Sequence, residues 1–433
     1  MSTETRAPSA PTVLSGAFPQ DSRVSPRGRL EVGGCDAIEL AREHGTPVYV
    51  VAEHDLRTRA RAFVRAGVRS GHENFQVAFA AKAFPCTAVL RLFAEQGLSC
   101  DVASGGELHM ALRAGLAPER ILLHGNAKTE AELRMALEQG VGLVVIDNFA
   151  EIDRWERLLA GADRVQDVLI RVTPDVRGDT HDHISTGQAD SKFGFAMAEA
   201  PEAIARIGQI AGLHLLGLHA HIGSQLLKLD PFRREIAQLA GLGDFPVWDL
   251  GGGLGVRYTA DQPEPPSIDA YVDTLIAGAA EHGMGPGSGR RLLVEPGRVL
   301  CANACVTLYT VQSLKRNVSH WVAVDGGMSD NLRPMLYGAR YEAHVADRLG
   351  GADRCVLAGM HCESGDVIVR EALLDDPRPG DVIAVPATGA YGYAMASNYN
   401  GVPRPPVVFC GDGSARVVVR RETFEDLTAR DAG

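Results

Sequence analysis

Eight short apolar runs, each ending in a polar or glycine tip and read with a following helix, predict a closed (β/α)8 barrel. Beyond about residue 300 the sequence turns β-rich and turn-punctuated, which predicts an attached all-β domain. A length of 433 residues suits one large barrel with a smaller partner. In order, the barrel runs are VAFAAK (77–82), SCDVAS (99–104), ILLHGN (121–126), LVVIDN (143–148), DVLIRVT (167–173), LLGLHAHIG (215–223), PVWDLGGG (246–253) and RLLVEPG (291–297). Between early runs, Gly106–Ala114 and Glu130–Gln139 carry apolar residues at helical spacing with a Gly following. The later β segments are CVTLYTVQSLKR, HWVAVDGG, RCVLAGMHCESGD, DVIAVPATG and ARVVVRRE, with a helical patch at Asn331–Tyr337. PVYVVAE precedes the first barrel run and is free to pair with that domain. The expected organisation is a flexible leader (1–28), an N-terminal segment of the β domain (29–53), the barrel (54–300) and the β domain (301–433).

Composition narrows the function. Apolar residues make up 45% and charged residues 22%, ordinary for a globular chain, and the net charge of −11 disfavours nucleic acid or an anionic membrane as partner. No apolar run is long enough to span a bilayer, and the leader lacks a signal peptide's apolar core. The 8 cysteines are scattered with no CxxC pair, as expected of reduced thiols in a cytoplasmic protein that holds no metal cluster. A small molecule is the expected ligand.

In such a barrel the chemistry gathers at the C-terminal strand ends, where the tips are Lys82, Asp101 with Ser104, His124 with Asn126, Asp147 with Asn148, Arg171, His219 with His221, Asp249 with Gly251–Gly253, and Glu295 with Arg298. Any one tip is readily a helix cap; the set together points to a site. Lys82 ends an apolar strand, where little water would favour the free amine that Schiff-base chemistry needs. DLGGGLG (249–255) offers backbone N–H groups to a phosphate, although it is not a dinucleotide fingerprint. Ser224, Gly297 and Arg298 are further anion contacts. His219 and His221, two apart on one strand, either join Glu295 and Asp249 around a metal or place one imidazole against an aromatic cofactor whose ring nitrogen Glu295 keeps protonated. Arg333 and Tyr337, four apart, would share a helical face suited to a carboxylate.

AFAAKAF, DVASGGEL, ILLHGNAK, STGQADSKFG, GLHAHIGSQ, DLGGGLG, VEPGR, VDGGMSDNLRPMLYGA, HCESGD and TGAYGYAMASNYN, in this order from about residue 30 onward, resemble the diaminopimelate decarboxylases, pyridoxal-phosphate enzymes of the alanine-racemase-like barrel class. The resemblance implies that Lys82 forms the Schiff base with pyridoxal 5'-phosphate, His221 stacks on its ring and Glu295 pairs with the ring nitrogen. It implies phosphate contacts from Ser224, Gly251, Gly252, Gly253, Gly297, Arg298 and Tyr391, and support of Lys82 by Asp101 and Glu107. On the substrate side it implies carboxylate binding by Arg298, Arg333 and Tyr337 beside Tyr391, recognition of the distal ammonium by Glu363, and reprotonation by Cys362. A homodimer with Cys362 and Glu363 crossing the interface is implied as well. The expected reaction is decarboxylation of meso-2,6-diaminopimelate to L-lysine and CO2, the last step of lysine biosynthesis. A pyridoxal-phosphate decarboxylase of a related basic amino acid in a secondary pathway is the alternative, and a cofactor-free binding subunit is a non-enzyme reading.

Overall fold

The computed structural model describes residues 13–176 and 191–432, which divide into two compact units. One comprises Leu56–Val256 and Glu264–Cys301, the other Met1–Asp55, Arg257–Pro263 and Ala302–Gly433.

In the first unit the parallel strands Phe75–Ala80, Ser99–Val102, Ile121–Leu123, Leu143–Ile146, Gln166–Thr173, Leu213–His219, Val247–Asp249 and Arg291–Val294 pair in chain order. The last pairs back onto the first, Leu292 opposite Phe75 and Val294 opposite Val77, so the expected barrel closes. Ala78, Leu122, Leu143, Val145, Leu169, Val247 and Leu293, contributed by six of these strands, pack into one buried cluster. Most strands end earlier than the apolar runs suggest. Ala81–Ala83 is a 3-10 turn past the strand end at Ala80, and Ser104 and Asn148 are N-caps accepting the backbone N–H of Glu107 and Glu151. For those two tips the capping reading holds.

In the second unit Val48–Ala52 lies between Cys305–Arg316, antiparallel with Val51 opposite Cys305, and Val407–Gly411, parallel with Val51 opposite Phe409. The N-terminal segment thus joins the β domain, as expected. Its core includes Leu30, Val32, Val48, Val50, Val306, Leu308, Ala384 and Val408.

The expected flexible leader needs correction for residues 13–28. Ala17 and Phe18 are buried, and Arg23–Val24 pairs with Leu30–Val32. Phe18 packs into the core of the second unit, a partner so distant in sequence that local composition does not reveal it. Residues 1–12, and 185–190 of the STGQADSKFG motif, lie outside the described residues. Among the described residues no helix is long and apolar enough to cross a membrane.

Candidate active site

Ala80 pairs with Asp101 across the first two barrel strands, and that register brings the two tips together. The Lys82 amine donates to Asp101 Oδ2 at 3.4 Å. Asp101 is buried, but the Lys82 side chain is 46% exposed, so protein atoms alone do not supply the dry surroundings expected for it. The cause is the turn, which carries Lys82 beyond the strand and away from the apolar wall. Glu107 accepts the Ala103 N–H at 2.7 Å, and burial raises its pKa.

Glu295 is the most heavily engaged acid. His219 Nε2 lies 3.2 Å from one oxygen and His124 Nε2 2.6 Å from the other. Burial alone would raise the Glu295 pKa, but the two imidazoles outweigh it and hold the carboxyl well below its usual range. His219, fully enclosed, is lowered to about 3, so its neutral ring donates Nε2–H to Glu295. Asp249 moves the opposite way: burial and the Glu295 charge push it well above the ordinary carboxylate range. Two adjacent buried acids thus divide the work, Asp249 keeping a proton and Glu295 a charge. His124, His219, Asp249 and Glu295 offer ligand atoms within 4.8 Å of one another. That corrects the metal-type grouping read from the sequence. His124 takes the place given there to His221, because the strand ends at His219 and His221 lies beyond the regular alternation. The tips alone gave no signal that His124 would be Glu295's partner; the pairing needs strands distant in sequence to close.

His221 Nδ1 accepts the Gly252 N–H at 3.2 Å, which leaves the proton of the neutral ring on Nε2. Burial, then the Lys82 and Arg171 charges, lower its pKa far below the usual value. The Gly251 N–H donates to Asp249 Oδ1 at 3.0 Å. Two of the turn's N–H groups are thereby committed to side chains rather than unobstructed, a second correction. The turn requires glycine nonetheless. At Gly251, with φ +57°, an added Cβ would stand 2.4 Å from the Ala220 carbonyl oxygen, and at Gly252 one would stand 2.2 Å from that of Glu295. Gly297 lies close against Ala80 and Ala83. The Arg298 guanidinium donates to Ser224 Oγ at 3.2 and 2.7 Å, joining two expected anion contacts.

The remaining expected residues lie in the second unit. Arg333 and Tyr337 bound a five-residue helix, but Arg333 is buried while Tyr337 is 36% exposed, so the expected shared face divides between two environments. Cys362 and Glu363 are both exposed, on a turn anchored where buried Asp366 accepts the N–H groups of His361 at 2.9 Å and Met328 at 2.7 Å. Tyr391, half-buried, has φ 64° at the start of the short helix Gly392–Met395.

A lysine just past a strand end, a carboxylate kept ionised between two imidazoles, a third imidazole that is neutral and a glycine cradle form a donor set that fits a phosphorylated, cationic heteroaromatic aldehyde. Residues 55–302 match the family described as "Pyridoxal-dependent decarboxylase, pyridoxal binding domain". Fold and site thus define a pyridoxal-dependent decarboxylase, with pyridoxal phosphate as cofactor. The chain is 46% identical to the diaminopimelate decarboxylase of Bacillus subtilis, over 95% of this chain and 97% of that one. It is also 46% identical to that of Actinosynnema pretiosum, over 97% and 96%. The crystal structure of diaminopimelate decarboxylase from M. jannaschii in co-complex with L-lysine superposes with a TM-score of 0.90 at 33% identity, covering 96% of this chain and 98% of that one. The chain belongs to the diaminopimelate decarboxylase family.

Proposed function

We propose that the protein removes CO2 from meso-2,6-diaminopimelate to give L-lysine, with the residues above in the roles the family resemblance implies. The carrying observation is Arg333. Arg333 is only 6% exposed, and its guanidinium has no ion-pair partner among the described residues. An enclosed cation of this kind is costly until an anion reaches it, and the second carboxylate of diaminopimelate supplies one.

Bound pyridoxal phosphate supplies an electron sink for the bond to the departing carboxylate. Lys82 would hold the cofactor through its amine, which the substrate amine would displace. Glu295, charged between His124 and His219, holds a proton at the ring nitrogen; His221 presents a neutral imidazole to the ring. The turn Gly251–Gly253, through the close approach its glycines allow, would hold the phosphate together with Gly297, Ser224, Arg298 and Tyr391. Glu363 takes the distal ammonium, Arg298, Arg333 and Tyr337 take carboxylate, and Cys362 returns a proton to the substrate carbon. Cys362 is the one exposed cysteine of eight, with Met360 beside its turn 51% exposed and Tyr399 41% exposed. An exposed thiol flanked by apolar side chains supports a homodimer in which this turn serves the neighbouring subunit. Seven buried free thiols suit the reducing cytoplasm.

The test is CO2 release from meso-diaminopimelate, lysine, ornithine and arginine. Strong turnover of the first and background turnover of the others is expected, since stranding Arg333 costs on the order of 2–5 kcal/mol, roughly 30-fold to several thousand-fold. Arg333→Ala should erode that preference while leaving cofactor absorbance intact. Comparable turnover of ornithine by the unmutated protein would overturn the substrate assignment.

A further inference from the structure

Residues 257–263 follow the glycine turn in sequence yet belong to the same compact unit as the β domain. They are anchored within that unit. Asn303 Nδ2 donates to the Arg257 carbonyl at 2.7 Å, the Ala260 N–H to Glu342 at 3.0 Å and the Arg340 guanidinium to Asp261 at 2.8 Å. Tyr258 is thereby held in place, its own N–H donating to Gln262 at 2.9 Å.

The Tyr258 ring lies under Arg333, with the guanidinium carbon 4.8 Å from the ring centroid. Tyr341 stands nearly perpendicular to Tyr258, at 5.4 Å between centroids and 81° between planes, with its ring centroid 5.7 Å from the same carbon. Arg333 Nη1 also donates to the Tyr341 hydroxyl. Both tyrosines are 4% exposed. A guanidinium carries its N–H donors in its own plane, so an aromatic face beneath it and one oxygen at its edge restrict its rotation while its remaining donors stay available to a planar carboxylate.

We infer that Tyr258 and Tyr341 are positioning residues that hold the Arg333 guanidinium for the distal carboxylate of the substrate, and so set selectivity for a two-carboxylate amino acid. This rests on the reading of Arg333 given above. Tyr258 lies outside both the strand tips and the motifs that pointed to the site.

The experiment is steady-state decarboxylation of meso-diaminopimelate by cofactor-loaded Tyr341→Phe, Tyr258→Leu, Tyr258→Phe and Arg333→Lys proteins. Tyr341→Phe and Tyr258→Leu should raise KM about 3-fold to 30-fold with kcat within about twofold, the range expected for losing one charged hydrogen bond or one cation–π face. Tyr258→Phe, which keeps the face, should recover most of the KM lost in Tyr258→Leu. Arg333→Lys should raise KM further, because an ammonium cannot present a planar pair of donors. A raised KM for Arg333→Lys with unchanged KM in both tyrosine variants would overturn the inference and leave the Arg333 reading standing. An unchanged KM for Arg333→Lys would overturn that reading as well. If Tyr258→Leu fails to fold, Tyr341→Phe, which removes a single oxygen, decides alone.

Discussion

Two lysines follow barrel strands closely, and their contacts separate them. Lys128 is 3% exposed, donates to the carbonyls of Gly125 and Val145 at 2.6 and 2.7 Å, and pairs with Glu151 at 3.0 Å, so its nitrogen is fully engaged by the fold. Lys82, half in solvent beside one buried acid, is the lysine proposed to hold the ligand. Borohydride treatment of the cofactor-loaded protein should therefore fix the label on Lys82, and Lys82→Ala should lose the cofactor's visible absorbance; label on Lys128 would overturn the assignment. His219 gives a pH signature. Its folded pKa is depressed from 6.5 to about 3, so the unfolded chain takes up a proton that the folded one refuses as the pH falls through that window. Stability should fall on acidification below about pH 6.5, by up to about 1.4 kcal/mol per pH unit from this group. His219→Gln keeps a nitrogen donor but does not titrate, so its Tm should drop less than the wild type's between pH 7 and pH 5. Parallel loss in the two proteins would show that His219 is not the group responsible.

Apolar runs with polar tips show that barrel strands exist and in what order, because their burial depends on local pattern. Where they end depends on the neighbouring strand. VAFAAK continues apolar through Ala81, yet the chain leaves the ladder after Ala80, and that shift puts Lys82 into solvent. HAH likewise reads as two side chains on one face, whereas the strand stops at His219 and the two imidazoles serve different partners, Glu295 and the Gly252 N–H. Lys82, His221, Glu295 and the glycine turn, the residues proposed to bear the distinctive chemistry, are legible because their types are unusual at strand tips. Supporting residues are not. His124 as the partner of Glu295, Asp249 as the acid that keeps its proton, and Tyr258 beneath Arg333 gain their roles only from neighbours 46 to 171 positions away, read from contacts and not from spacing. The same limit explains Phe18, whose Pro- and Ser-rich surroundings resemble a disordered tail although it packs into the β-unit core.

At the scale of the whole molecule the residues proposed for one reaction fall into two units. Lys82, His221 and Glu295 lie in the barrel unit, while Arg333, Cys362 and Glu363 lie in the other. Cys362 and Glu363 differ from Arg333 in being exposed, on a turn held in place by Asp366, whereas Arg333 is buried and packs on Tyr258 and Tyr341 of its own unit. A rigid, exposed thiol and carboxylate are what a neighbouring subunit would receive across a dimer interface. Lys82→Ala and Cys362→Ala proteins should each be inactive alone. If the turn serves the neighbour, a mixed dimer carries one site that lacks both residues and one that has both, so mixing the two proteins after subunit exchange should restore up to about a quarter of wild-type activity per total subunit. That ceiling follows from random pairing, in which half of the dimers are mixed and each has one intact site of two. If instead each site draws Lys82 and Cys362 from the same chain, every mixed dimer holds one site defective in each residue and no activity returns. Measured CO2 release after exchange, with exchange itself verified by mass-tagged subunits, separates the two arrangements, and no recovery would show that each chain builds its own site.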